Sequence, residues 1–371
     1  LKELAERIRD TIAERGPITF AEYMALALYD PEAGYYVAGP ERSGWGGHFI
    51  TSPQLDPGFG ELWARAVESI WGACGSPERF DVIEAGPGEG GFARSLLGAV
   101  GPDLGNALRL HLIEQSPALR ARQERLLAGT DAVTWHGSID QVPVMEHGCF
   151  FANEVLDNLP VHLLEKHDGG WLEIFIAAEG ERFVEVLAPP KDEQVMSFAE
   201  RFGAILPHGH RFEATLAAGS FVTEAARRVA TGAVIFIDYG LPSSELVDRP
   251  SGTLVCYSGA GVDADPLAAP GSKDITVHAN WTSVTGCLQG AGCEVAGPAP
   301  QRTVLRSLGL GELTAELRER RDEALADGRG ADAVRAMSRS QSFAALVDPS
   351  GLGALGVITG FKGIRAQDFA S

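Results

Sequence analysis

FDVIEAGPGEGGFARSLL, residues 80–97, decides the fold. Phe80, Val82 and Ile83 form an apolar run that reads as a buried strand, and the run ends in an acid, Glu84. Phe92, Leu96 and Leu97 fall at helical spacing. Gly86, Gly88, Gly90 and Gly91 lie between the two patterns. A glycine loop between strand and helix lets a ligand approach the backbone N–H groups at the helix start. Gly86, Gly88 and Gly91 satisfy G-x-G-x-x-G, so a dinucleotide stays open at this point. No G-K-[ST] follows, which argues against a phosphate-binding P-loop.

Outward from this stretch the pattern alternates strand and helix. LRLHLIE (108–114) ends in Glu114, at the distance from the loop expected of a ribose-binding acid. VTWHG (133–137), CFFANEV (149–155) and GAVIFIDYG (232–240) are further apolar runs bounded by polar turns. Helical stretches between them predict an open α/β parallel sheet covered on both faces. The interval between the fourth and fifth runs is too long for one crossover. It holds HLLEKHDGGWLEIFIAAEGERFVEVLAPP, which reads as strands joined by glycine turns, then a helical EQVMSFAERFGA. We take about 162–228 as an insertion into a core of residues 76–371.

Residues 1–75 read as a helical cap followed by a long loop. Within it LYDPEAGYYVAGPERSGWGGHFITSPQLDPGFGE is rich in Gly, Pro and aromatics, as lid loops are. Residues 310–345 read as helical, and LGALGVITGFKGI as a last strand.

Composition excludes several classes. The 371 residues are 45% hydrophobic with a formal net charge of −19, which argues against a nucleic-acid partner. No apolar window approaches a membrane span, and LKELAERIRD lacks a signal-peptide core. The five cysteines form no C-x-x-C pair and read as thiols of a reducing cytoplasm. His208 and His210 have no acid or cysteine cluster beside them, so no metal site is expected.

Glu84 with the glycines gives E-x-G-x-G-x-G, which resembles the first motif of the Rossmann-like S-adenosylmethionine (SAM) methyltransferases. FITSPQLDPGFGE (49–61), ANEVLDNLPVHLLE (152–165) and IDYG (237–240), with DPEAGYY, GTLVCY and DPLAAPGSKDITVH, resemble the MidA family. These are bacterial relatives of the mitochondrial methyltransferase that serves complex I assembly. The resemblance implies a seven-stranded Rossmann-like SAM-methyltransferase sheet with a helical N-terminal cap and an α+β insertion. SAM is the implied cofactor. Gly86, Gly88 and Gly90 would meet its methionine portion, Glu84 its α-amino group and Glu114 its ribose. Asp140 is the candidate for the adenine amino group, and Asn153 ends the fourth strand at the switch point.

For the mitochondrial relative the resemblance implies protein arginine methylation. A guanidinium keeps its proton at neutral pH, so such an enzyme needs carboxylates to hold and aim it. Glu154, Asp157 and Asp238, with Tyr239, are the candidates. His48 and Asn280 stand where relatives usually carry aspartate. His48 titrates near neutrality and is the candidate base for a hydroxyl or amine acceptor, carried to the methyl group by the loop from Gly34 to Gly60. The acceptor is therefore a protein side chain or a small molecule, and a small-molecule or peptide O- or N-methyltransferase is the alternative to arginine. A non-catalytic SAM-binding assembly factor and an NAD-dependent oxidoreductase are readings from other classes.

Overall fold

The computed structural model describes residues 3–38, 51–259, 261–263 and 265–366. His48 and most of the predicted lid lie outside them.

Seven strands form the central sheet: β1 (Phe80–Ala85), β2 (Leu108–Ile113), β3 (Val133–His136), β4 (Met145–Asn153), β5 (Val229–Asp238), β6 (Glu294–Pro300) and β7 (Gly356–Lys362). Their spatial order is β6-β7-β5-β4-β1-β2-β3. β3, β2, β1, β4 and β5 run parallel, and β7 is antiparallel to both β5 and β6. The chain leaves β1 for β2 on one side and returns to β4 on the other. Ligands bind such sheets in the crevice this reversal opens.

Every residue of β1 is buried, as its apolar run requires of a strand covered on both faces. The helices Gly58–Ala73 and Gly91–Ala99 cover one face, where Phe92 stacks on Phe151 with ring centroids 4.2 Å apart. Leu216–Arg228 and Trp281–Gly290 cover the other. Residues 58–73, placed in the cap by sequence, therefore belong to the core: Leu62, Trp63, Ala66 and Ile70 are all buried against the sheet.

The insertion is shorter than expected. His162–His167, Gly170–Glu179, Arg182–Ala188 and Arg211–Ala214 form an antiparallel sheet, with the helix Glu193–Phe202 packed on it. The following helix, Leu216–Arg228, is already a cover of the core. The cap is also less separate than the sequence implied. Ile18 and Thr19 pair with Ile176 and Phe175, adding the N-terminal segment to the insertion sheet. A capping box between Thr19 and Glu22 then starts the helix Phe20–Tyr29.

Two pieces complete the fold. Val255–Ser258 sits between Gly261–Asp263 and Asp274–Thr276 in a small antiparallel sheet beside the crevice. Leu310–Ala326 and Gly330–Leu346 form a helical hairpin packed on the face that Gly58–Ala73 covers. Among the described residues no helix is long and apolar enough to cross a membrane, and no His, Cys, Asp and Glu cluster could hold a metal ion.

Candidate active site

One cavity of about 640 Å³ opens along the crevice and joins the glycine loop to the N-terminal helices. Its first half is built by the ends of β1, β2 and β4. The chain must turn sharply between β1 and the next helix, and Gly86, Gly88 and Gly90 take φ of +64°, +53° and +84°. Only glycine adopts these angles without strain. A Cβ on Gly88 would meet nothing within 4 Å, so its backbone faces open space. Gly86, Gly88 and Gly91 line the cavity. Gly90 does not: it begins the helix, and its N–H donates to the Pro87 carbonyl at 2.8 Å.

Glu84 is buried at the head of this loop, and one carboxylate oxygen, Oε2, has no partner. Burial pushes its carboxyl up to about 8 against the opposing effect of the Ala93 amide. A buried acid with an unmet oxygen is suited to receive a cation or a donor from a ligand. Glu114 is oriented by the Ser116 amide at 2.7 Å and by Gln123 Nε2 at 3.0 Å. Gln123 also donates to the Gly88 carbonyl at 2.7 Å and accepts from Trp135 Nε1 at 3.0 Å. This fully buried glutamine ties the glycine loop to Glu114. It was not singled out in the sequence, because it lies inside an ordinary amphipathic helix.

Asp140 is not brought to the cavity. Its side chain is exposed, 3.6 Å from Arg228, while Ser138 and Ile139 line the wall beside it. The segment turns there as a short 3-10 helix, which points the acid outward.

The second half of the cavity lies beyond β4. Glu154 has φ +53°, a strained angle for a residue with a side chain. Its own N–H is fixed to the Ile237 carbonyl at 2.8 Å, and its carboxylate accepts from Asn153 Nδ2 at 2.8 Å and faces the Ser52 amide. Its surroundings push it up to about 8, burial first, with the charge of Asp238 adding to this. Asp157 is buried with Oδ1 unpartnered, and burial with the charges of Asp238, Asp274 and Glu154 raises it well above the usual range. Asp274 accepts from Tyr36 Oη at 2.8 Å and Asn158 Nδ2 at 2.9 Å. Tyr29 stacks on Tyr36 with centroids 5.7 Å apart and donates to the Asn158 carbonyl. Tyr239, Tyr257 and His278 complete the wall.

Asp238 is not a lining residue. It is fully enclosed, and its carboxylate accepts backbone amides from the loop after β4, so it positions Glu154 and Asp157 rather than meeting a ligand. Asn280 is likewise away from the cavity. It caps the helix Trp281–Gly290 through Ser283 N, so an amide there removes no anion from the acceptor half. The sequence reading missed Tyr29, Tyr36, Asn158 and Asp274. Their only signal was membership in the stretches LYDPEAGYY, VLDNLP and SKDITVH, which carry no spacing of their own.

A doubly wound sheet with this glycine loop, an unpartnered Glu84 and an oriented Glu114 is that of a SAM-dependent methyltransferase. Glu84 would suit the cofactor's ammonium, Gly86 and Gly88 would leave room for its amino-acid tail, and Glu114 would be placed for ribose hydroxyls. Residues 62–299 match the S-adenosyl-L-methionine-dependent methyltransferase family Methyltransf_28. The chain belongs to this family and, within it, to the MidA-like group. It is 32% identical to the mouse mitochondrial protein arginine methyltransferase NDUFAF7, over 84% of this chain and 74% of that protein. The zebrafish NDUFAF7 is 30% identical, with 84% and 76% covered. A Burkholderia thailandensis protein crystallised with S-adenosyl-homocysteine (SAH) bound superposes with a TM-score of 0.87 and 31% identity, over 99% of this chain and 94% of that one.

Proposed function

We propose that this methyltransferase modifies a guanidinium, the side chain of an arginine in a protein. The observation that carries the reading is the unpartnered oxygen of buried Asp157 in a chamber that also presents Glu154 and Asp274. Among the described lining residues there is no Lys or Arg to neutralise them. Tyr29, Tyr36, Tyr239 and Tyr257 add aromatic surface, which suits a planar cation. The name of the NDUFAF7 relatives supports the same chemistry.

When bound, SAM supplies an electrophilic methyl group on a sulfonium. The chain's own residues supply position and desolvation. Glu154 stands at the junction of the two halves, held by Asn153 and Ser52, and would aim one guanidinium nitrogen. Asp157 would neutralise the far side. In its carboxylate form Glu154 takes the proton lost by the methylated nitrogen.

One observation favours a second reading. His278 lines the chamber with Nδ1 unpartnered, and burial with the Arg249 charge lowers its basicity, leaving it neutral. A neutral imidazole there would serve a hydroxyl or amine acceptor.

Two SAM-competitive analogues separate the readings: an adenosine-linked guanidine and an adenosine-linked urea of equal length. The guanidine should bind at least roughly tenfold more tightly, the effect of one charge-assisted hydrogen bond. Equal affinity rejects the guanidinium reading.

A further inference from the structure

The acids of the acceptor chamber are not equivalent. Asp238 Oδ2 accepts the amides of Val155 at 3.1 Å, Leu156 at 2.8 Å and Asp157 at 3.4 Å, and Oδ1 accepts the Tyr239 amide at 2.8 Å. Donors in that number oppose the effect of burial, which still pushes Asp238 up to about 7. Asp274 has the Tyr36 hydroxyl and the Asn158 amide. Glu154 has Asn153 and the Ser52 amide. Asp157 alone of the four has a buried oxygen with nothing to receive a hydrogen bond from. An acid so buried among other acids, with one oxygen unmet, holds its proton until a cation arrives.

The groups facing Asp157 come from every wall. They are Glu154 from its own segment, Asp238 and Tyr239 from the end of β5, Asp274 from Asp274–Thr276, and Tyr257 from Val255–Ser258. Tyr29 and Tyr36 come from the N-terminal helices, and His278 from the turn after Asp274–Thr276. Burial raises the four tyrosines, which therefore stay neutral, and His278 is held neutral too. No described lining residue supplies the compensating positive charge.

We propose that Asp157 selects the acceptor by proton exchange: it is a carboxylic acid in the empty chamber, and the seating of a cationic group expels its proton to solvent. The balance is one carboxylic acid plus one bound cation giving one carboxylate–cation pair and one proton in water. A neutral acceptor leaves the proton in place and gains no ion pair. The inference rests on the guanidinium reading and adds how the site enforces it. It predicts that affinity for a cation rises with pH while affinity for a neutral ligand does not.

Sinefungin and SAH test this without knowledge of the natural acceptor. Sinefungin carries an ammonium where SAM has its methylsulfonium, and SAH carries a neutral thioether. Both bring the same amino-acid tail to Glu84, so any proton taken up or lost there cancels between them. Calorimetric titrations at neutral pH, in buffers of different ionisation enthalpy, count the protons. Sinefungin should release roughly half a proton to one proton more than SAH. The sinefungin-to-SAH affinity ratio should rise by up to about tenfold per pH unit below neutrality and level off in alkali. Asp157→Asn, which mimics the neutral acid in shape, should reduce both effects relative to the wild type. Equal proton counts in the wild type overturn the proposal, and so does a proton release undiminished in Asp157→Asn. Should that variant not fold, the wild-type affinity ratio decides: a ratio flat with pH rejects the exchange. The guanidinium reading itself fails on different data, namely a methylated product that is not arginine.

Discussion

Asp238 Oδ2 accepts the amide N–H of Leu156 at 2.8 Å, tying the end of β5 to the loop that follows β4. The neighbouring amides of Val155 and Asp157 converge on the same oxygen. The carboxylate does for this loop what a capping residue does for a helix: it collects several backbone donors on one oxygen. Asp238→Ala should therefore destabilise the protein by roughly 2 kcal/mol or more, the cost of leaving buried amides unmet. It should also abolish methyl transfer, because Glu154 and Asp157 lose their support. Urea denaturation measures the first effect, and a change below about 0.5 kcal/mol would show that another group takes over.

Gln123 should matter to the cofactor as much as Glu114 does. Its side chain spans Glu114 Oε2 and the Gly88 carbonyl, so Gln123→Leu frees the acid and the loop together. A hydrogen bond to a charged group contributes about 1.5–3 kcal/mol, so SAH affinity should fall by roughly tenfold to a hundredfold. Glu114→Ala should fall in the same range. Calorimetry that finds Gln123→Leu unchanged removes the glutamine from the site.

Gly88→Val should eliminate SAM binding. At φ +53° a branched side chain is strained, and its Cβ would project into the space that the cofactor's tail needs. Near-wild-type SAM affinity in a folded Gly88→Val protein contradicts the placement of the cofactor.

The buried acids make the ligand-free protein less stable as pH rises. Glu84 and Glu154 are pushed up to about 8, and Asp238 and Asp274 to about 7, from unfolded-chain values near 4. Between those limits the native state holds more protons than the unfolded chain, so stability falls with pH across about 5–8 and levels above it. The melting temperature of the ligand-free protein should be higher at pH 6 than at pH 8. Asp274→Asn should flatten that slope. A melting temperature that climbs over this interval would mean these acids are charged in the native state.

The glycine-loop half of the cavity was legible in the sequence because it is assembled locally. Glu84, Gly86 and Gly88 lie within a few residues, and strand, loop and helix signals agree there. Glu114 followed from one βα unit further on. The other half was legible only at Glu154, Asp157 and Tyr239, because the rest is assembled across the chain. Tyr29 and Tyr36 come from the N-terminus, Asn158 from the loop after β4 and Asp274 from a small strand more than a hundred residues later. Asp140 was misplaced by a single 3-10 turn, a detail that no composition or periodicity carries. Asp238 reads in sequence as an acid at a strand end. Only the structure shows its oxygens filled by backbone amides. The helix Leu216–Arg228 was assigned to the insertion because sequence spacing cannot tell which sheet an amphipathic face will cover.

Mass spectrometry of the methylated product tests the central claim most directly. The enzyme would be incubated with isotopically labelled SAM and a protein extract, alongside Glu154→Gln as control. Labelled methylarginine should form with the wild type and fall at least roughly tenfold with Glu154→Gln, which loses an ion pair and the proton acceptor. Label on a hydroxyl, an amine or a small molecule, with arginine untouched, would contradict the account.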